Sequence, residues 1–211
     1  MTGIVNYGAF ITAGILLNLT PGVDTLYILT RSCTGGRRVG VASALGISTG
    51  ILFHLTLVSL GLAAVLASAP SAFFALKCLG VGYLFYLGVK AFRESGSALG
   101  DAAGRARPAS LLRSWRDGAL TNALNPKVAL FFLAFLPAFV APGAESSPVP
   151  FLLLGLTFLA TSTVWNVLLA VLSGSLLSAL NRSPSARLRA VRGSGLVYWL
   201  LGLGVLVSRP S

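Results

Sequence analysis

Two helix-breaking strings interrupt apolar stretches of membrane-spanning length in this chain: Asn18-Leu19-Thr20-Pro21-Gly22-Val23-Asp24 and Thr121-Asn122-Ala123-Leu124-Asn125-Pro126-Lys127. Proline removes a backbone donor and clashes with the carbonyl four residues earlier, so Pro21 and Pro126 each leave backbone groups to be satisfied by something else. Each string also carries one charge, Asp24 or Lys127. A broken helix and a charge are both costly in hydrocarbon, and their coincidence, twice, marks a site more than a packing solution. Asn18, Thr20, Asn122 and Asn125 are suited to bonding the freed backbone groups, which is their ordinary structural role.

The rest of the composition agrees with a bilayer setting. Of 211 residues, 55% are apolar and only 10% charged, too few polar groups to cover a soluble globule of this size. The net charge of +11 invites a nucleic-acid reading, which its placement excludes. Thirteen of the 16 basic residues fall on alternate connections between apolar runs: Arg31, Arg37 and Arg38; then Lys90 to Arg116; then Arg182 to Arg192. The intervening loops, 68–71 and 141–149, have no Lys or Arg, so the positive-inside rule puts the basic loops in the cytoplasm and both termini outside it. No basic residue precedes Arg31, so the N-terminus lacks a signal-peptide n-region and reads as a retained span. Cys33 and Cys78 fall on opposite sides in this topology, which makes a disulfide between them implausible.

Apolar runs of about twenty residues give six spans, near 4–30, 41–67, 72–92, 118–140, 149–177 and 193–208. The last is short and rich in glycine. The Gly/Ala/Ser/Arg-rich connection at about 93–117 divides the chain into a first repeat at about 4–92 and a second at about 118–208. Each repeat has an odd number of spans, so the second crosses in the opposite sense. The expected architecture is therefore an all-α integral membrane domain of six transmembrane helices, built as two inverted three-helix repeats with helices 1 and 4 broken near mid-membrane. Ala42, Gly46 and Gly50 lie on one face of span two and allow close backbone approach, as do Gly80 and Gly88 in span three; small-residue faces also permit a homodimer. Residues 111–116 are expected along the membrane surface, and Asp117 as the N-cap of span four.

At about 1.5 Å per residue, Pro21 lies roughly 15 Å from Arg31 and Pro126 a similar distance from Arg116, so both breaks sit at similar depth. Asp24 and Lys127 then offer an anion and a cation at one level. A zwitterion fits them: Asp24 accepts an ammonium, and Lys127 or a half-helix terminus holds a carboxylate. The alternatives are an Asp24–Lys127 ion pair that only lets both be buried, or Asp24 reaching Arg31. A carboxylate at that depth also makes Asp24 the proton-coupling candidate. His54 is the single histidine, with no carboxylate or cysteine at helical spacing, so it reads as a hydrogen-bonded packing residue and not a metal ligand. Ser162 and Asn166, one turn apart in span five, suit either a polar pathway shared with His54 or helix-to-helix hydrogen bonding. No nucleophile–base pair, phosphate loop or carboxylate pair is present, so neither an enzyme nor a cofactor is expected.

The chain resembles the LysE/RhtB family of bacterial amino-acid exporters. Three ordered blocks carry the resemblance. The first runs from Asn18-Leu19-Thr20-Pro21-Gly22-Val23-Asp24 through Gly36-Arg37-Arg38-Val39-Gly40 to Gly46 and Gly50. The second holds Lys77, Gly80, Tyr83-Leu84 and Leu87-Gly88. The third runs from Gly118 to Asn122 into Asn125-Pro126-Lys127 and on to Phe135-Leu136-Pro137-Ala138-Phe139. Val23 stands where the family has a second proline, which should leave span one less sharply broken, and Ala138 where a Gln is frequent. The resemblance implies a multi-pass bacterial inner-membrane protein exporting amino acids or small derivatives by proton antiport, with Asp24, Asn125, Pro126 and Lys127 at the motif positions. A metal-ion or other small-solute exporter, and a non-transporting membrane assembly subunit, are the competing expectations.

Overall fold

The computed structural model describes residues 3–59, 70–93 and 110–207, and these form seven α-helices. The end of the second expected span at 60–67, half of the expected outer loop at 68–71, most of the 93–117 connection and the last residue of the sixth expected span lie outside the described residues, as do the side chains of Lys77, Arg182 and Arg187.

Helix α1, Tyr7–Leu19, stops where Pro21 requires it to, and α2, Val23–Leu57, starts after an extended Gly22. Within α2 the backbone leaves the helical region at Gly36, whose φ of 79° and ψ of 177° suit glycine alone. A Cβ on Gly40 would collide with Ser32. Eight residues along a straight helix are about 12 Å apart, so the chain folds back at Gly36, and α2 is two arms, 23–35 and 37–57. Those arms correspond to the end of the first expected span and the body of the second.

The second interrupted unit starts earlier than expected. Helix α4, Leu111–Ala123, follows α3, Pro70–Arg93, in chain order, and is capped by Ser110, whose hydroxyl accepts from the Arg113 amide. The 111–116 stretch is thus the start of this helix and not a separate surface segment. Asp117 is not an N-cap either: it sits in the middle of α4, where it pairs with Arg31 at 3.2 Å and with Arg113 and Arg116. Apolar counting placed the boundary after the last arginine, but Asp117 pairs with the arginines around it and the helix continues through them. It ends at Leu124–Asn125. Asn125 caps the short α5, Pro126–Leu130, by accepting from the Lys127 amide at 3.0 Å, and Pro126 occupies the first turn, where a missing N–H costs nothing. The path continues as a π-turn, Phe131–Phe135, and a 3₁₀ turn, Leu136–Phe139, at 47° to α4.

The two interrupted units run antiparallel along their whole length. At one end Ile4 bridges to Val140, with Val5 N–H bonding the Phe139 carbonyl at 2.9 Å. In the middle Asp24 meets Asn122 and Asn125. At the other end the Tyr27 hydroxyl donates to the Ser114 carbonyl at 2.8 Å, beside the Arg31–Asp117 pair. Glycines make this approach possible. A Cβ on Gly46 would enter the Trp115 carbonyl, and one on Gly50 would enter Asn122, Ala119 and Ala123, so the small-residue face of the second arm is filled by the backbone of α4.

Helix α6, Pro148–Arg182, covers α1 and α2, with Ser48 and Thr163 hydroxyls 2.8 Å apart and Phe158 over Gly14. Helix α7, Pro184–Val207, pairs with α3 where Gly88 faces Trp199 and the Gly195 carbonyl. It begins nine residues before the expected start and is 24 residues long, so the sixth segment is not short. The core contains a phenylalanine cluster: Phe10, Phe131, Phe132, Phe135 and Phe158 interlock, with the Phe131 and Phe158 centroids 4.6 Å apart. The outside is apolar too. Leu79, Leu112 and Leu124 are two-thirds or more exposed, a surface that suits hydrocarbon. By length and composition the segments 23–57, folded at Gly36, and 148–176 can cross a bilayer, and the bent pair at 111–123 and 126–139 makes a third candidate among the described residues. The six-span arrangement read from the sequence goes beyond these three.

Gly46→Ala should lower stability by about 1–3 kcal/mol, because the added methyl must push two backbones apart. Gly82→Ala, whose Cβ meets nothing within 4 Å, should be neutral or stabilising. Thermal unfolding of the purified variants in detergent checks both, and equal effects would refute the packing account.

Candidate functional site

Where the two units cross, each break is satisfied by the other unit's polar groups. The Lys127 ammonium donates to the Leu17 carbonyl at 3.0 Å, the Thr20 carbonyl at 3.0 Å and the Thr20 hydroxyl at 2.8 Å. These are the oxygens at the C-terminal end of α1, where the helix dipole favours a cation. Conversely, one Asp24 oxygen, Oδ2, accepts from the side-chain amides of Asn122 at 2.9 Å and Asn125 at 3.0 Å. Asp24 and Lys127 therefore do not neutralise each other by direct contact: among the described residues every ion pair involves Asp117. Nor does Asp24 reach Arg31, which is committed to Asp117.

His54 repeats the pattern at the second break. Its Nε2 lies 2.9 Å from the Asn122 carbonyl. A carbonyl only accepts, so the bond assigns the ring hydrogen to Nε2. A basic side chain thus caps the carbonyl end of each half-helix, Lys127 on α1 and His54 on α4. The imidazole is buried and stacks on Phe132, and it bonds the residue that holds Asp24.

Two cavities flank the crossing. The smaller, about 20 Å³, is reached by Asn18, Thr20, Asp24, Asn122, Ser162 and Asn166, and has room for about one water. Ser162 donates to Asn18 Oδ1 at 2.6 Å, while Asn18 Nδ2, Asp24 Oδ1 and Asn122 Oδ1 are buried with no hydrogen-bond partner. The larger, about 210 Å³, is bounded by Pro21, Asn125, Pro126, Tyr83, Lys90 and Tyr198. Gly22 and Lys127 line both and form the partition between them. The larger cavity has two lysines and no carboxylate on its walls, so it favours anions; the smaller holds the only acid of the site.

The twelve candidate site residues converge here. Asn18, Thr20, Asp24, Asn122, Ser162 and Asn166 meet at the smaller cavity, Pro21, Gly22, Asn125, Pro126 and Lys127 at the larger, and His54 behind Asn122. Sequence reasoning missed Tyr83, Lys90, Ser194 and Tyr198. Lys90 reads in sequence as an orientation charge, and Tyr198 belongs to no motif, yet its ring face lies 5.6 Å from the Lys127 ammonium. Among the described residues no three of His, Cys, Asp and Glu stand close enough to hold a metal ion.

Comparison with known proteins finds sequence relatives. The sequence profile described as LysE type translocator matches residues 15–209. A Pseudomonas aeruginosa protein described as an uncharacterized membrane protein is 32% identical over 206 residues, covering 96% of this chain and 94% of that one. A Salmonella typhimurium protein described as a homoserine/homoserine lactone efflux protein is 32% identical over 156 residues, 74% of each chain. No solved structure matches.

Asn122 makes two bonds at the crossing, its side chain donating to Asp24 and its carbonyl accepting from His54. Asn122→Ala removes one of two donors to a buried carboxylate oxygen and should cost about 1–3 kcal/mol. The unfolding midpoint of the variant in detergent measures this, and an unchanged midpoint would show that Asp24 does not depend on the bond.

Proposed function

The chain belongs to the LysE type translocator family, and we propose that it exports a small zwitterionic amino acid or amino-acid derivative from the cytoplasm in exchange for protons, by alternating access around the crossing of its two interrupted helices. The observation that carries this reading is the placement of one acid and one lysine on opposite breaks, each held by the other unit and each facing a cavity. Asp24 accepts the substrate's ammonium through its unpartnered Oδ1 and carries the coupling proton. Lys127 and Lys90 attract the carboxylate in the larger cavity. That cavity, about 210 Å³, is below the roughly 300–1,000 Å³ typical of drug-sized ligands and fits a small solute. The efflux proteins named for homoserine and its lactone support the same substrate class.

The antiparallel run of the two units supports the inverted-repeat reading, with six spans in the bacterial inner membrane, both termini outside the cytoplasm and the Arg37–Arg38 loop inside. Alternating access then amounts to loosening the crossing toward one cavity at a time. The partition of Gly22 and Lys127 is the part that must move.

In vesicles loaded with L-homoserine, wild-type efflux should accelerate when the external medium is acidified. Asp24→Asn should abolish that acceleration at normal protein level, and Lys127→Ala should abolish efflux. Gradient-driven efflux that survives Asp24→Asn would remove Asp24 from the mechanism.

A further inference from the structure

The three N–H groups of the Lys127 ammonium have three acceptors, the Leu17 and Thr20 carbonyls and the Thr20 hydroxyl, at 2.8–3.0 Å. These acceptors owe nothing to the lysine. The carbonyls come from the last turn of α1 and the residue beyond it, where Pro21 prevents the helix from continuing, and they would face the crossing whatever filled it. Two further features suit a cation there. The Tyr198 ring face lies 5.6 Å from the ammonium, and Asp24, one turn further on, keeps a buried oxygen with no partner on the same small cavity. The lysine reaches this set from the other unit, its stem passing Gly22 at the wall of the larger cavity. It thus has free space to withdraw into.

We propose that this oxygen cage is a primary-ammonium subsite, filled by Lys127 in the state described and taken by the substrate's ammonium during transport. Lys127 is then a tethered mimic of the substrate's amine. Exchange of one ammonium for the other keeps the cage occupied, so the break is never left with unpaired carbonyls in apolar surroundings. It also defines what is recognised. A compound needs an ammonium with N–H donors, whereas its carboxyl group meets no part of the cage, so an amino acid and its ester should both enter and an N-acylated amino acid should not. The substrate half of the proposal rests on the amino-acid export reading; the cage does not.

Chemical rescue of Lys127→Met tests both halves. Purified in detergent, the variant should unfold at a lower temperature than wild type. Ammonium and methylammonium chlorides should restore the midpoint, tetramethylammonium chloride at the same ionic strength should not, and wild type should respond to none of the three. L-homoserine and its methyl ester should also restore the variant, and N-acetyl-L-homoserine should not. Absence of rescue by methylammonium, or equal rescue by all three salts, overturns the cage. Rescue by methylammonium without rescue by L-homoserine or its ester overturns the assignment of the substrate's amine to it. If the variant fails to accumulate, the same salts are supplied during expression: accumulation restored by methylammonium and not by tetramethylammonium supports the cage, and no restoration overturns it. Failure of the export reading itself would appear separately, as absence of L-homoserine efflux from wild-type vesicles.

Discussion

A backbone interrupted in apolar surroundings must find partners for the carbonyls and amides that the helix no longer pairs, and this requirement organises the whole molecule. Neither break can meet it alone. The carbonyls at the end of α1 need donors, and Lys127 provides them; the Asn122 carbonyl at the end of α4 takes His54, and the side-chain amides of Asn122 and Asn125 hold Asp24. Each unit is thus completed only by the other, which fixes their crossing point to within one hydrogen bond.

Close approach is the second condition, and glycine supplies it. Gly46, Gly50 and Gly118 remove the side chains that would hold the arms of α2 away from α4, while Gly36 lets α2 fold back so that both arms reach that helix. The phenylalanine core then packs beside the crossing, and α6 closes it with Ser162 and Asn166. Packing and polar satisfaction are therefore one arrangement. A change that separates the backbones also unpairs Asp24.

In the proposed export cycle, the bonds that stabilise the crossing are the ones the transported solute replaces. Ammonium and carboxylate groups are what Asp24 and Lys127 already resemble and accept, so a zwitterion can substitute for the contacts it disrupts. In the proposed cycle this lowers the cost of opening the crossing when substrate is present, which is what coupling an export step to its cargo requires.

Much of this was written in local sequence. Pro21 and Pro126 place the breaks because proline acts on its own turn. The rows of small residues mark the contacting faces because helical periodicity puts them on one side. Twelve site residues could be named because polar groups in apolar runs are few. Local rules fail where a residue's partner lies far along the chain. Asp117 looks like a cap until Arg31 is found opposite it, and Asp24 and Lys127 look like a pair until the amides of Asn122 and Asn125 and the carbonyls of Leu17 and Thr20 are seen to take them instead. Tyr198 and Lys90 join the site through the pairing of α3 and α7, which no spacing announces. The sequence determined where the helices break and which charges lie there; only the tertiary register decided which oxygen each charge holds, because that depends on how two antiparallel units slide past each other and not on the residues within either one.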